Sequence, residues 1–513
     1  MGRRVWRGMR WLAIALLSGV LLLLVAFALG VLWPEPELPA SRSLRPLAIV
    51  DVSIVDVESG RTLPGQTVVS QDGRITAAGD RDSVLAPEDA ERIDGRGRFL
   101  MPALWDMHTH VYAFAPLLDM PLYIASGVTN VRDMQGCPAE GDPFIACHAD
   151  KRRWTREALE GERIGPRIVE STSFMANGPR MVERLGDVPR YFGTATPDEA
   201  REFVRHFAGK ADAIKVYDGI PREAYLALSD EARRHGLPLV GHRPHAVSAS
   251  EAARHQRSIE HARFLLHESF DGAAELRRAA GTAAWREDRR AMVDRHDPRM
   301  AQDIFATMRE AGTYYVPTHL TRWSDAYADQ PAVREDPHLR FLHPLLRWQW
   351  EEDLDGLVAK DPSAEARQAY LDFYRKGLEL TGAAQQAGVK IMAGTDYITA
   401  GMDLHRELEQ LVLAGLTPAQ ALRAATTTPA EYMGLREQYG RIAPGRAADM
   451  LLLDGDPLLD IRSTRQLRAV IFNGNLYDHA ALERMTRHVE RQARSWTVAC
   501  KVLWRFVLNP VAY

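Results

Sequence analysis

Between residues 99 and 396 the sequence changes rhythm eight times. Short apolar runs at 99–108, 127–133, 166–172, 212–217, 237–242, 257–261, 313–318 and 389–396 alternate with stretches of helical periodicity. Strands separated by helices pair in parallel, and eight of them close a barrel. The fold class is therefore α/β, a TIM (β/α)8 barrel over residues 99–439. The 513 residues allow about three domains, but a barrel with additions absorbs most of that length. Residues 320–378 are too many for one loop and are rich in Trp, Arg and Glu, which predicts a helical insertion over the barrel mouth.

The flanks have a different texture. Residues 47–98 run in short β segments ("LAIVDVSIVDV", "QTVVS", "RITAAG"), and residues 440–480 return to that pattern, so both flanks are expected to build one small β-sandwich. Residues 34–46, rich in Pro and Ser, read as a linker. Residues 11–33 carry no charge, long enough for a helix to cross a bilayer. Arg3, Arg4, Arg7 and Arg10 precede this run, and Glu35 and Glu37 follow it. The positive-inside rule keeps residues 1–10 in the cytoplasm and places the catalytic part on the extracytoplasmic (periplasmic or extracellular) side. A cleaved signal peptide has a shorter apolar core, so an uncleaved single-pass anchor is expected. The tail, 481–513, reads as an apolar helix, either packed on the body or lying flat at a membrane surface.

A net charge of −4 offers no basic field and excludes a nucleic-acid binder. Cys137 and Cys147 flank a short loop and would form a disulfide in an oxidising compartment; two unpaired thiols are the other reading, with Cys500 left over.

The strand ends carry the chemistry. In "FLMPALWDMHTH" the side chains of His108 and His110 project to the same side of the first strand, at the end where barrel sites are built. Strand four holds Lys215 inside an apolar run, in a chain with only seven lysines against 57 arginines. A buried lone ammonium is costly, whereas an amine that takes up CO2 becomes an anionic carbamate able to bridge two cations. Strand five ends in His242, strand six in His261 and strand eight in Asp396. These are ligand types suited to Zn2+, Mn2+ or Co2+.

His-x-His on strand one, Lys on four, His on five and six and Asp on eight resemble the amidohydrolase superfamily, in its binuclear subtype with a carboxylated lysine. "GLTPAQALRAATTTPAEYMGL" and "GRIAPGRAADMLLLDGDPLLDI" look like the imidazolonepropionase-like group, which includes Xaa-Pro dipeptidases. The resemblance implies two divalent metal ions, zinc expected. His108, His110, Lys215 and Asp396 would hold the more buried one, and the Lys215 carbamate, His242 and His261 the more exposed one. A hydroxide shared by two cations is nucleophilic at neutral pH. Asp396 would take its proton and deliver it to the leaving amine, which makes Asp396 and Lys215 the catalytic pair. Asp106 would orient a ligand histidine.

The match thins around the substrate. Prolidase-like relatives carry a histidine after strand three and a tyrosine three residues past the strand-six histidine, where this chain has "STSFMANGPRM" and Phe264. Tyr217, His405, Arg243 and His319 are the candidate substrate-binding residues. The expected function is a membrane-anchored hydrolase of a C–N bond in an amide, cyclic amide or dipeptide. Hydrolysis of an ester, lactone or phosphotriester, a mononuclear imidazolonepropionase- or deaminase-type enzyme, and a non-catalytic scaffold are the alternatives. Partners are a small-molecule or dipeptide substrate and the membrane; a homo-oligomer stays open.

Overall fold

The computed structural model describes residues 2–36, 38–40, 45–178 and 193–508, with side chains from residue 6 onward. Glu37, residues 41–44 of the linker, the side chains of Arg3 and Arg4, the end of "STSFMANGPRM" and the last five residues lie outside the described residues.

Seven parallel strands form the barrel: β6 (Leu104–Thr109), β7 (Val128–Asp133), β8 (Arg167–Ala176), β9 (Ala213–Val216), β10 (Leu239–Gly241), β11 (Gln256–Glu260) and β12 (Tyr314–Val316), each paired with its neighbour in sequence. The eighth segment closes the ring without a regular ladder. On one side Tyr315 N donates to Lys390 O and Met392 N to Tyr315 O; on the other Met107 N donates to Ala393 O and Asp396 N to His108 O. Gly394 permits this closure, because a Cβ there would lie 2.8 Å from His108 N and 2.6 Å from Val316 Cγ1.

The first predicted strand, 99–108, is corrected to two. Phe99–Pro102 is β5 of the flanking sheet, and the chain changes sheets at Ala103. Pro102 has no N–H to donate. Ala103 N then bonds Asp449 O in the flanking unit while Leu104 N bonds Gly127 O in the barrel, so successive amides serve different sheets.

The flanking unit is one eight-stranded sheet. It joins β1 (Leu47–Asp56), β2 (Arg61–Gln71), β3 (Arg74–Asp80), β4 (Glu91–Asp94) and β5 with β13 (Met450–Leu453), β14 (Leu467–Phe472) and β15 (Asn475–Asp478). Strands from both ends of the chain meet where β13 pairs antiparallel with β5. Leu47, Ile49, Val52, Leu100, Met450 and Leu452 form a core of their own beneath it.

The barrel helices follow local rules. Pro197–Phe207 starts with a capping box between Thr196 and Glu199, and Pro298–Ala311 ends at Gly312 with φ +73°. Helices His319–Ala326, Pro344–Lys360 and Ala364–Gln386 fill the 320–378 segment. Cys137 and Cys147 are joined by a disulfide. Helix Trp496–Leu508 lies against the N-terminal helix Gly2–Leu32, of which Trp6–Leu32 is long and apolar enough to cross a membrane, as a signal sequence also is.

Candidate metal centre

The rim at the C-terminal ends of the barrel strands gathers the ligand-type residues. His108 Nε2 lies 3.6 Å and His110 Nε2 3.3 Å from Asp396 Oδ1, and His261 Nδ1 lies 3.6 Å from Asp396 Oδ2. The imidazoles adjoin one another: His108 and His261 have centroids 5.0 Å apart, His261 and His242 4.3 Å. One potential donor nitrogen on each ring is buried without a hydrogen-bond partner, namely Nε2 of His108, His110 and His261 and Nδ1 of His242. Unpaired buried acceptors are costly unless something binds them. Ligand atoms of His108, His110 and Asp396 fall within 4.8 Å of one another. The donor set fits a divalent cation.

Their environment fixes charge and tautomer. His108 Nδ1 is 3.1 Å from Glu260 Oε2, an arrangement that directs Nε2 toward Asp396. Glu260 also accepts from Arg132 Nη2 (2.8 Å) and Ser258 Oγ (2.6 Å). Burial alone would raise this carboxyl, but Arg132 and His108 outweigh it and hold it below the usual value. His261 Nδ1 pairs with Thr318 Oγ1 at 2.8 Å, which frees Nε2. Burial pulls His242 and His261 well below the ordinary histidine range, so both rings are neutral donors at neutral pH. Asp396 goes the other way: burial opposes ionisation, but His108, His110 and His261 outweigh it and hold it well below the carboxylate range.

Backbone strain clusters here as well. His261 (φ +68°), Thr318 (φ +46°) and Asp396 (φ +44°) all adopt the left-handed region that non-glycine residues avoid. His261 and Thr318 lie just past barrel strands, and Asp396 just past the closing segment.

Lys215 lies on β9, 1% exposed, and burial depresses its amine below the usual lysine value. Tyr217, two residues on, places its ring 4.1 Å from that of His242. Burial pushes its phenol up to about 12, so it remains a donor at neutral pH.

The remaining candidate residues differ in what they touch. Asp106 orients no imidazole. Its Oδ1 accepts from the backbone N–H of His108 and Thr395, and its Oδ2 from Thr395 Oγ1 at 2.7 Å, so it clamps strand one to the closing segment. Glu260 does the orienting instead. Arg243 is buried: Nη1 donates to the carbonyls of Pro244 and Val247 and lies 3.3 Å from Glu268, and Nη2 lies 3.4 Å from His267 Nδ1. His405 uses both ring nitrogens, on Thr464 Oγ1 and Ser126 O. His319 is fully buried with both nitrogens unpartnered, and burial lowers it to about 3. Neither His319 nor His405 lines the cavity beside the metal ligands. Phe264 packs edge-on against Tyr315 in the core.

Sequence reasoning missed Glu260, Arg132 and Thr318. The signal was weak: Glu260 directly precedes His261, and Arg132 is one of 57 arginines. It also missed Asp336, His338 and Asp403, which approach one another closely enough for a metal. Arg406 already pairs with Asp336, and His338 Nδ1 lies 3.1 Å from Asp403 Oδ1, an ion-pair cluster that ties the insertion to helix Leu404–Leu413.

A profile of the amidohydrolase family matches residues 99–477. The chain belongs to the amidohydrolase family. This amidohydrolase is an enzyme of a metal-dependent hydrolase family whose candidate ligands are those above. It is similar to the imidazolonepropionase of Symbiobacterium thermophilum, 24% identical across 77% of this chain and 85% of that one. The adenine deaminase of Mesorhizobium japonicum is 23% identical across 78% of this chain, which spans about half of the deaminase (52%). Among solved structures, the fold matches a bottromycin amidohydrolase (TM-score 0.63, 20% identity, 89% of this chain and 93% of that one). It also matches a Xaa-Pro dipeptidase with bound methionine (TM-score 0.57, 19%, 84% and 100%).

Proposed function

We propose that this amidohydrolase hydrolyses a C–N bond at a two-metal centre held by His108, His110, Lys215, His242, His261 and Asp396, on the extracytoplasmic side of a membrane that residues 11–33 span. The observation that carries the reading is the set of four buried, unpartnered imidazole nitrogens around one low-pKa carboxylate. Lys215 contributes as a carbamate. Its depressed pKa enlarges the neutral amine fraction that reacts with CO2, and the carbamate would supply an anionic oxygen ligand where a buried ammonium would be costly. Two divalent cations there, zinc expected, supply Lewis acidity for the scissile carbonyl and lower the pKa of a water they hold.

The remaining steps belong to the protein. Asp396 accepts the proton of the attacking water as the C–O bond forms and passes it to the nitrogen as the C–N bond breaks. Tyr217, protonated at neutral pH, donates to the oxyanion of the tetrahedral intermediate. Glu260 and Thr318 fix the His108 and His261 tautomers throughout.

Metal analysis of the full chain in detergent tests this reading. About two metals per chain are expected, with at least one lost in Lys215→Ala. One metal, indifferent to Lys215→Ala, would instead support a mononuclear deaminase or imidazolonepropionase. That second reading is favoured by the compact His108–His110–Asp396 trio and the Symbiobacterium relative. Screening dipeptides, N-acyl amino acids, cyclic amides and lactones then separates amide from ester chemistry.

A further inference from the structure

Beside His110 and Asp396 the mouth opens into a cavity of about 410 Å3, in the size range of small-molecule sites. Away from those ligands its wall is mostly apolar, built chiefly by Phe114, Phe144, Phe341, Leu346 and Phe506, with Asp119, His343, Gln349 and Asp353 interrupting it. Among the described residues no arginine or lysine lines it, so a carboxylate or phosphate entering this side would meet no cation. The chamber suits the apolar end of a substrate, not an anionic one.

Phe506 reaches this wall from the C-terminal helix, Trp496–Leu508. Its ring lies 4.6 Å from that of Phe144, and Arg505 next to it donates to Pro143 O and Ala113 O. The Cys137–Cys147 disulfide closes the loop that carries Pro143 and Phe144. Other faces of the same helix are apolar and partly exposed: Leu503 and Trp504 are 42% and 40% exposed, and Val507 is 64% exposed. This helix also docks on the apolar N-terminal helix. Phe27 and Trp504 meet edge to face at 6.4 Å, Gly30 lets Cys500 and Trp496 approach, and Lys501 pairs with Glu35 and donates to Trp33 O. One helix thus joins the cavity wall to the apolar surface beside a helix of membrane-spanning length, the arrangement of a segment immersed at a lipid interface.

We propose that this cavity lodges the acyl chain of an amphiphilic N-acyl substrate, which passes from the lipid surface along the C-terminal helix until its amide reaches His110 and Asp396. The proposal rests on the hydrolase reading and names the substrate class for that site: a linear fatty-acyl amide. The apolar lining holds the chain, and the amine half projects toward Tyr217 and His242.

The test uses the full chain in lipid nanodiscs with acetyl-, hexanoyl-, decanoyl- and tetradecanoylglycine. Two readouts are taken, kcat/KM on the metal-loaded enzyme and equilibrium binding to metal-stripped protein. Leu346→Trp and Ala400→Phe, which narrow the chamber from different walls, are compared in the same nanodiscs to cancel partition into lipid. We expect kcat/KM to climb about fourfold per added methylene until the chamber is full. Affinity should rise in parallel, and each variant that folds should cut the long-to-short ratio at least tenfold. Binding that tightens with chain length and is blunted by the variants, without turnover of any member, keeps the acyl pocket and sinks the hydrolase reading. Turnover or binding that is flat with chain length, or unmoved by both variants, overturns the proposal, and with turnover present it leaves the hydrolase reading standing.

Discussion

Asp396 concentrates the chemistry of the rim in one side chain. It stands within 3.6 Å of three imidazoles, in a left-handed backbone conformation, with a carboxyl held ionised by its neighbours. Asparagine keeps the shape and one ligand oxygen but cannot take a proton. Asp396→Asn should therefore retain most of its metal while kcat falls by about 10^3-fold or more; parallel metal analysis and steady-state kinetics check this, and near-native turnover would refute the proton-transfer role. Glu260 acts one residue away through His108. In Glu260→Gln the ring loses its charged partner and the fully buried Arg132 loses its counterion. Metal affinity should drop by roughly 10–100-fold, measured by competition with a chelating dye. Unfolding free energy should fall by about 3 kcal/mol. A variant with native metal affinity would show that Glu260 only packs.

At the scale of elements, the barrel closes through a segment that is barely a strand, and the helix above it is seated by a buried acid. Glu407, on helix Leu404–Leu413, accepts from the backbone N–H of His319 (2.9 Å) and Leu320 (3.1 Å) at the start of helix His319–Ala326. Burial nevertheless raises its carboxyl to about 8. The folded protein thus keeps a proton that the unfolded chain releases near its ordinary value of 4.5. Stability contributed by this group is full at low pH and drains as pH rises through that window, on the order of 1 kcal/mol per pH unit. Thermal melts between about pH 5 and pH 8 should show a shallower decline for Glu407→Gln than for the parent chain; parallel slopes would count against the assignment. Asp106 shows the same economy of position. Its carboxylate, raised by burial to about 7, welds β6 to the closing segment through Thr395, where a regular ladder is missing.

For the whole molecule, the decisive arrangement is the docking of the C-terminal helix, which reaches the barrel mouth through Phe506, on the last turns of the N-terminal helix. The N-terminal helix, the C-terminal helix and the disulfide-closed loop form one continuous path to the cavity wall. If residues 11–33 span a bilayer, the full chain resists carbonate extraction from membranes. A chain beginning at Pro34 should then lose that resistant fraction while retaining its metal content. Cell fractionation with metal analysis checks both halves, and a full chain released by carbonate would overturn the anchor.

The sequence alone determined most of the elements and the residue types that stand at the strand ends. Apolar periodicity spaces the barrel strands, and strand alternation aims His108 and His110 the same way, because both are local consequences of backbone geometry. Where Ala103 switches sheets, which group orients His108, and that His405 is absorbed by a hydroxyl and a carbonyl were decided by tertiary structure. Those outcomes depend on which distant residue arrives within hydrogen-bond reach: Asp449 for Ala103, Glu260 for His108, Thr464 for His405. Hydrogen bonds act over about 3 Å, and only the folded chain brings partners more than fifty residues apart within that range.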